Sequence, residues 1–275
     1  MNNEFILDKN TLENIGENIK KYFNKNGTFV IIRNYNYSND NQETILGMYD
    51  IINKNVGDYL CIDLEENTYK PTEKNWTDVK YYIGSDEKQF WRSSKHQNLH
   101  TDNSFATKEY YANLTELVCL KPCEFSGHTT IISNDKLVNL IKYNDNLTNN
   151  NIFNRIFNKE IYFSIDDNYQ IKKKILTEID SKYIFNFNYY PAIRAKNSVE
   201  DIKLIEELHS FFEEKIMYSS DLMHDVKLNY GDAVIFNDEL VMHGRRSFIG
   251  TRHYKKCGII SCSLINLNIH DSEKK

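Results

Sequence analysis

Apolar positions near the start of the chain follow a helical period, then a strand-like run, then a helical period again. In residues 11 to 24 (TLENIGENIKKYFN), Leu12, Ile15, Ile19, Tyr22 and Phe23 fall three or four apart, which predicts an amphipathic helix ended by Asn26-Gly27. The run Thr28-Phe29-Val30-Ile31-Ile32 predicts a strand, and residues 42 to 56 predict a second helix. The polar region from Glu65 to Glu87 has no period and is expected to be irregular and exposed.

Strand-like runs follow at 110 to 120 (YYANLTELVCL) and 128 to 133 (HTTIIS), separated by Lys121 to Gly127, a turn by its Pro and Gly. The asparagine-rich stretch Asn144 to Asn154 is expected to be a surface connection, with a helix beside it as the further option. Residues 160 to 190 alternate weakly, with Tyr183 to Tyr190 the strongest strand among them. Ile202, Ile205, Leu208, Phe212 and Ile216 share one face of a helix expected over 198 to 217, with Ser198 as its N-cap. The last third predicts strands at Asp225 to Leu228, Ala233 to Asn237 and near Tyr254 to Leu264, with a turn at Asn229 to Asp232. Many strands, with helices at the start and in one insertion, predict a mainly β fold with helical decoration (α+β) around a sandwich or barrel core. No internal repeat, GxGxxG or phosphate-loop motif is present, which disfavours a nucleotide-binding α/β fold.

At 275 residues, nothing forces a division, so 1 to 275 is expected to be a single domain with an N-terminal helix-strand-helix segment and a helical insertion around 198 to 217. The net charge of -5 leaves no basic footprint, and the basic runs Lys172 to Lys174 and Lys255-Lys256 are short, so nucleic acid is not an expected partner. No apolar stretch approaches the ~20 residues that span a bilayer. The start, Met1-Asn2-Asn3-Glu4-Phe5, lacks a basic region followed by an apolar one, so a soluble, cytoplasmic protein without a membrane partner is expected. Cys61, Cys119, Cys123, Cys257 and Cys262 form no CxxC pair and read as reduced, structural thiols.

The candidate chemistry lies in His100-Thr101-Asp102 and in His243. Two imidazoles and one carboxylate on one face of an iron leave the opposite positions open for further ligands. On a strand, residues two apart point the same way, so His100 and Asp102 can present both side chains to one ion, with the second histidine supplied by another strand. Taken singly, His243 also reads as a core or surface histidine and Asp102 as a strand-end cap.

Four ordered blocks carry more than any one of them: His100-Thr101-Asp102-Asn103-Ser104-Phe105, Ser126-Gly127-His128-Thr129, Gly231-Asp232-Ala233-Val234-Ile235-Phe236-Asn237, and His243-Gly244-Arg245 through Arg252. Together they resemble the taurine dioxygenase-like and clavaminate synthase-like Fe(II)/2-oxoglutarate oxygenases, over roughly residues 10 to 265. The resemblance implies a double-stranded β-helix (jelly-roll) core, with His100, Asp102 and His243 as catalytic iron ligands. It implies Fe(II), 2-oxoglutarate and dioxygen as cofactor and co-substrates, with Arg252, assisted by Thr129, anchoring the distal carboxylate of 2-oxoglutarate. A planar guanidinium suits that task because it holds a carboxylate through two parallel hydrogen bonds.

The loop between His243 and Arg252 is shorter than in many relatives. Arg245 belongs to the His-Gly-Arg motif and reads as structural, while Arg246 has no matching duty. Lys256, four residues after Arg252, stands where relatives often carry an arginine that contacts substrate or cofactor; the alternative is an exposed edge-strand lysine. Because Asp102 fills the carboxylate position, a halogenase is disfavoured.

The expected activity is hydroxylation of an unactivated C–H bond of a small polar substrate, such as an amino acid or derivative, with succinate and carbon dioxide as co-products. Desaturation, cyclisation, demethylation or a non-catalytic, cupin-like metal or ligand-binding role are the alternatives. Pocket candidates are Trp91, Arg92, Gln97, Asn98, Asn103, Phe105 and the segment Asn188 to Arg194, with Asn98, Arg194 and Lys256 foremost as substrate residues. Assembly into a homo-oligomer stays open.

Overall fold

A computed structural model describes residues 3–62, 71–81, 93–107, 110–148, 150–166, 169–217, 219 and 221–261. The chain opens with β1 (Glu4–Ile6), α1 (Leu12–Phe23), β2 (Phe29–Arg33) and α2 (Gln42–Val56). Two short strands, β3 (Asp58–Tyr59) and β4 (Thr77–Tyr81), precede β5 (Gln97–His100), a 3-10 turn at Asp102–Phe105, and β6 (Leu114–Lys121). Next come β7 (Phe125–Ser126), β8 (Thr129–Ser133), α3 (Asn134–Thr148) and α4 (Ile152–Ile156). Two hairpins follow, β9 (Glu160–Asp166) with β10 (Tyr169–Lys174), and β11 (Leu176–Ile179) with β12 (Lys182–Phe185). Then come α5 (Tyr189–Arg194) and α6 (Val199–Phe211), which runs into a π-helical stretch at Phe212–Met217. The chain closes through β13 (His224–Val226), β14 (Ala233–Asn237), β15 (Val241–Arg245), β16 (Phe248–Ile249) and β17 (Arg252–Ile260).

Two sheets carry the core. The larger has the order β1-β2-β14-β6-β17-β3, with β4 also paired to β17, and the smaller has the order β13-β8-β15-β5. Strand alternation sorts their side chains into layers. Val30, Ile32, Leu114, Val118, Ala233, Ile235, Cys257 and Ile259 face α1 and α2. Phe29, Cys119, Val234, Phe236 and Tyr254, one position out of phase, meet Ile131, Val226 and Val241 of the smaller sheet. Ile132 and Met242 face the other way, into an apolar layer with α3 to α6. This helix, sheet, sheet, helix stack is the double-stranded β-helix expected from the resemblance, mainly β with helical decoration.

The first two helices and β2 lie where the apolar periods put them, and Ser198 caps α6 by accepting from Asp201 N–H at 3.1 Å. Four expectations need correction. Within Glu65 to Glu87, the described part includes β4, whose single buried apolar residue, Val79, is too little for a period; its pairing with distant β17 makes the strand. Asn144 to Thr148 is the last turn of α3, whose apolar stripe lies upstream at Leu137, Val138 and Ile141. Asp145 then receives the N–H groups of Ile152 and Phe153 at 2.8 and 2.7 Å, so the polar stretch caps α4. The strand expected through Tyr190 ends at Phe185, and Tyr189 already starts α5. The last strand begins at Arg252, ahead of the expected Tyr254; Cys262 to Leu264 lie outside the described residues.

Cys61, Cys119, Cys123 and Cys257 are free and buried, and burial pushes the Cys61 and Cys119 thiols up to about 11 and about 12. Among the described residues no helix is long and apolar enough to cross a membrane.

Candidate active site

β5 and β15 run antiparallel and place His100 directly across from His243, with their ring centroids 4.2 Å apart. The close approach depends on Gly244: a Cβ there would lie 2.6 Å from the Gln97 carbonyl oxygen and 3.1 Å from Thr130 Oγ1. Asp102 does not reach the site by strand alternation as expected, because β5 stops at His100 and Asp102 opens the 3-10 turn. Thr101 makes the bend, exchanging hydrogen bonds with Phe187: its N–H donates to Phe187 O at 2.8 Å, and its Oγ1 accepts from Phe187 N–H at 3.2 Å. Asp102 Oδ1 then lies 3.8 Å from His100 Nε2, and Oδ2 lies 3.8 Å from His243 Nε2. Among the described residues these three form the one group of His, Cys, Asp and Glu whose ligand atoms all fall within 4.8 Å of one another.

The surroundings suit a cation. His100 Nδ1 faces the Asn98 carbonyl oxygen at 2.7 Å, which makes Nδ1 the protonated nitrogen and leaves Nε2 for the shared centre. Burial lowers the pKa of His100, and burial with the neighbouring His100 lowers that of His243, so both rings stay neutral. Burial opposes the charge on Asp102, yet the Lys256 ammonium beside it holds its carboxyl well below the ordinary carboxylate range. Two neutral imidazoles and one carboxylate are the donor set that non-haem iron takes. Asp102 Oδ2 also accepts from Lys256 Nζ at 2.6 Å and Thr115 Oγ1 at 3.1 Å, which fixes the rotation of the carboxylate.

The three groups share the wall of a cavity of about 490 Å³, open mouth included, with Gln97, Thr115, Thr129, Arg245, Arg252, Lys256 and the apolar Val79, Leu117 and Phe236. Arg252 is 4% exposed; its guanidinium lies 3.6 Å from the centre of the Tyr254 ring, and its Nε has no hydrogen-bond partner. Thr129, 2% exposed, shares the same cavity. A buried guanidinium with an unmet donor calls for an anion. The carboxylate of 2-oxoglutarate fits that demand. Arg245 is more committed, donating through Nη2 to Ser93 O at 2.6 Å and Lys95 O at 2.8 Å, in keeping with a structural part. Arg246 pairs with Asp225 at 3.3 Å.

Lys256 and Gln97 line the cavity, whereas Asn98 and Arg194 do not. The Asn98 amide turns to His209 at 3.5 Å, because an irregularity in the β5–β15 register faces Gln97 and His100 inward together. Arg194 is exposed at the end of α5. Asn103 donates to Ala112 O at 2.6 Å, and Phe105 packs against the apolar layer around α3 to α6. Trp91 and Arg92 lie outside the described residues. Lys256 is no edge-strand lysine, since β17 pairs with β6 on one side and with β4 and β3 on the other. Thr115 went unnoticed in the sequence, although its place two residues before Leu117 on β6 puts it on the inward face.

No curated protein matches the chain in sequence. Among solved structures 188 chains match. The chain is similar to asparagine oxygenase (AsnO), at 13% identity and a TM-score of 0.67, over 94% of this chain and 93% of that one. It is similar to the non-heme iron oxygenase OrfP in complex with Fe and alpha-ketoglutaric acid, at 12% identity and a TM-score of 0.60, over 95% and 94%. It also resembles PvcB from Pseudomonas aeruginosa, at 12% identity and a TM-score of 0.56, over 89% and 81%. Identities this low show a common fold. The family description "Taurine catabolism dioxygenase TauD, TfdA family" matches residues 6–257, nearly the whole chain, so the chain belongs to that family and is an Fe(II)- and 2-oxoglutarate-dependent dioxygenase.

Proposed function

We propose that this dioxygenase hydroxylates an unactivated C–H bond of a small polar substrate of the amino-acid class, using His100, Asp102 and His243 to hold iron. The observation that carries the reading is one cavity lined both by these three groups and by buried Arg252, whose Nε donor is unmet. Arg252 and Thr129 would receive the distal carboxylate of 2-oxoglutarate. The chemistry supplied at the metal is C–H oxidation coupled to decarboxylation of 2-oxoglutarate to succinate and carbon dioxide.

The chain's own part is positioning and exclusion. Asp102 supplies the negative charge opposite the cation, and Thr115 and Lys256 keep its second oxygen engaged. Val79, Leu117 and Phe236 give the cavity a dry wall, and Gln97 and Lys256 supply an amide and an ammonium for polar groups of a substrate. The amino-acid class is supported by two similar structures: asparagine oxygenase was solved with 2S,3S-3-hydroxyasparagine, and OrfP with (3S)-hydroxy-L-Arg. Four buried, free cysteines and a net charge of -5 support a reducing, cytoplasmic setting without nucleic-acid partners.

Anaerobic titration with Fe(II) and 2-oxoglutarate tests the site. A weak visible charge-transfer band is expected with the wild type and not with His243→Ala. No band, or a band that survives the substitution, overturns the ligand assignment. Succinate release across a panel of free amino acids tests the substrate class; flat release across the panel defeats it.

A further inference from the structure

Asp102 and Asn103 open the 3-10 turn after β5, and Thr101, at the N-cap position, makes no side-chain capping bond. The amide groups at the start of that turn are taken instead by Asp238, which is distant in sequence. Asp102 N–H donates to Asp238 Oδ1 at 2.9 Å, and Asn103 N–H donates to Oδ2 at 2.9 Å. The same Oδ1 lies 3.6 Å from Nδ1 of His243, a buried nitrogen without a hydrogen-bond partner. One carboxylate therefore touches the backbone of one ligand residue and faces the ring of another.

The carboxylate is itself held firmly. Its side chain is 0% exposed, and it sits in the turn between β14 and β15. Asp238 N–H donates to Asn113 O at 3.0 Å, Leu240 N–H to Asn237 O at 3.0 Å, and the Asn134 amide to Glu239 O at 2.8 Å. From the opposite pole of the 3-10 turn, Lys173 of β10 donates to Asn103 O at 2.7 Å. The turn that carries Asp102 is thus gripped at both its N–H and C=O ends by side chains from distant parts of the chain.

We propose that Asp238 is a positioning residue of the metal centre, setting the placement of Asp102 relative to His243. The inference rests on the reading that His100, Asp102 and His243 hold the metal. Metal-binding histidines as a rule present their second ring nitrogen to a carboxylate or carbonyl oxygen, and such outer partners tune affinity. At 3.6 Å the Asp238–His243 contact is longer than a hydrogen bond, so the carboxyl only faces the ring, and the two N–H bonds to the turn supply the geometry.

The test uses the full chain and Co(II) as probe, reading the dissociation constant and the visible ligand-field spectrum beside the thermal midpoint. Asp238→Asn keeps the shape but turns an NH2 toward one of the two backbone donors. Its Co(II) affinity is expected to fall by roughly 10- to 100-fold, with altered visible bands. Asp238→Glu is expected to recover part of that loss. Where Asp238→Ala does not fold, the Asn and Glu variants decide. An Asp238→Asn protein that melts lower but keeps wild-type Co(II) affinity and spectrum reduces Asp238 to a structural role and overturns the proposal. Wild-type protein that binds no Co(II), or His243→Ala protein that binds it equally well, overturns the ligand assignment itself and the inference with it.

Discussion

Removing the Arg252 side chain should separate 2-oxoglutarate binding from every other property of the site. Arg252 is 4% exposed, so its charge is scarcely screened by water, and its Nε donor is unmet. A partner carboxylate there would be desolvated and held by charge-assisted hydrogen bonds. Truncating one side of such a buried pair costs about 2 to 5 kcal/mol, and at about 1.4 kcal/mol per tenfold that is roughly a 30- to 4,000-fold loss of affinity. Thr129 shares the cavity and keeps its hydroxyl, which places the expected result for Arg252→Ala toward the lower half of that range. Arg252→Lys retains the charge but not the planar fork, so a loss of about one charge-assisted bond, ~1.5 kcal/mol or roughly 10-fold, is expected. The assay is succinate release at saturating Fe(II) as a function of 2-oxoglutarate, with the binding constant measured anaerobically alongside. The rise should fall on KM for 2-oxoglutarate in both variants. An unchanged 2-oxoglutarate requirement in Arg252→Ala would refute the argument and move the anchor to Arg245 or Lys256.

Two further outcomes follow from packing and burial. Glu116 lies wholly buried on the helix-facing side of β6, where burial, partly offset by hydrogen bonds from Asn53 and Cys257, pushes its carboxyl up to about 8 from an ordinary 4.5. The folded state therefore keeps a proton that the unfolded chain releases, so this contribution to stability is complete below pH 4.5 and is lost as pH rises through about 8. The difference corresponds to at most about 5 kcal/mol; urea unfolding between pH 5 and 9 should flatten in Glu116→Gln, and parallel slopes for the two proteins would count against it. Gly244→Ala would drive a Cβ to 2.6 Å from the Gln97 carbonyl oxygen and 3.2 Å from that of Asn98. The strain should destabilise the fold by about 1 to 3 kcal/mol and weaken Co(II) binding by parting His100 from His243; unchanged melting and binding would remove the close-approach argument.

What was legible in the sequence divides by the range of the interaction that encodes it. α1, β2 and α2 were readable because each carries its own apolar period against one neighbouring layer, Leu12 to Phe23 being the clearest case. β4 was not, because a five-residue strand with one buried apolar side chain exists by virtue of its partner, β17. Asn144 to Thr148 misled for the opposite reason: its composition is that of a loop, but Leu137 to Ile141 had already committed the segment to a helix. That His100, Asp102, Thr129, His243 and Arg252 belong together was legible from the order of their blocks along the chain, and one cavity gathers them. Their exact contacts were not, and Asn98 shows why: one irregularity between β5 and β15 turns Gln97 inward and sends Asn98 to His209.

The same distinction governs the His-x-Asp signature itself. Strand alternation would bring His100 and Asp102 to one face with no outside help, and it would then tolerate a change at Asp238. The observed geometry uses a strand end and a 3-10 turn, so nothing local to Thr101 determines where the Asp102 carboxylate points. That direction is imposed by the Phe187 contacts to Thr101, by the Asp238 carboxylate on the turn's N–H groups, by Lys173 on its carbonyl, and by Thr115 and Lys256 on the carboxylate. A motif held from outside is sensitive to substitutions far away in sequence. For this reason residues outside the group of three, Asp238 first among them, are expected to govern metal affinity in this chain as strongly as the cavity wall governs its substrate.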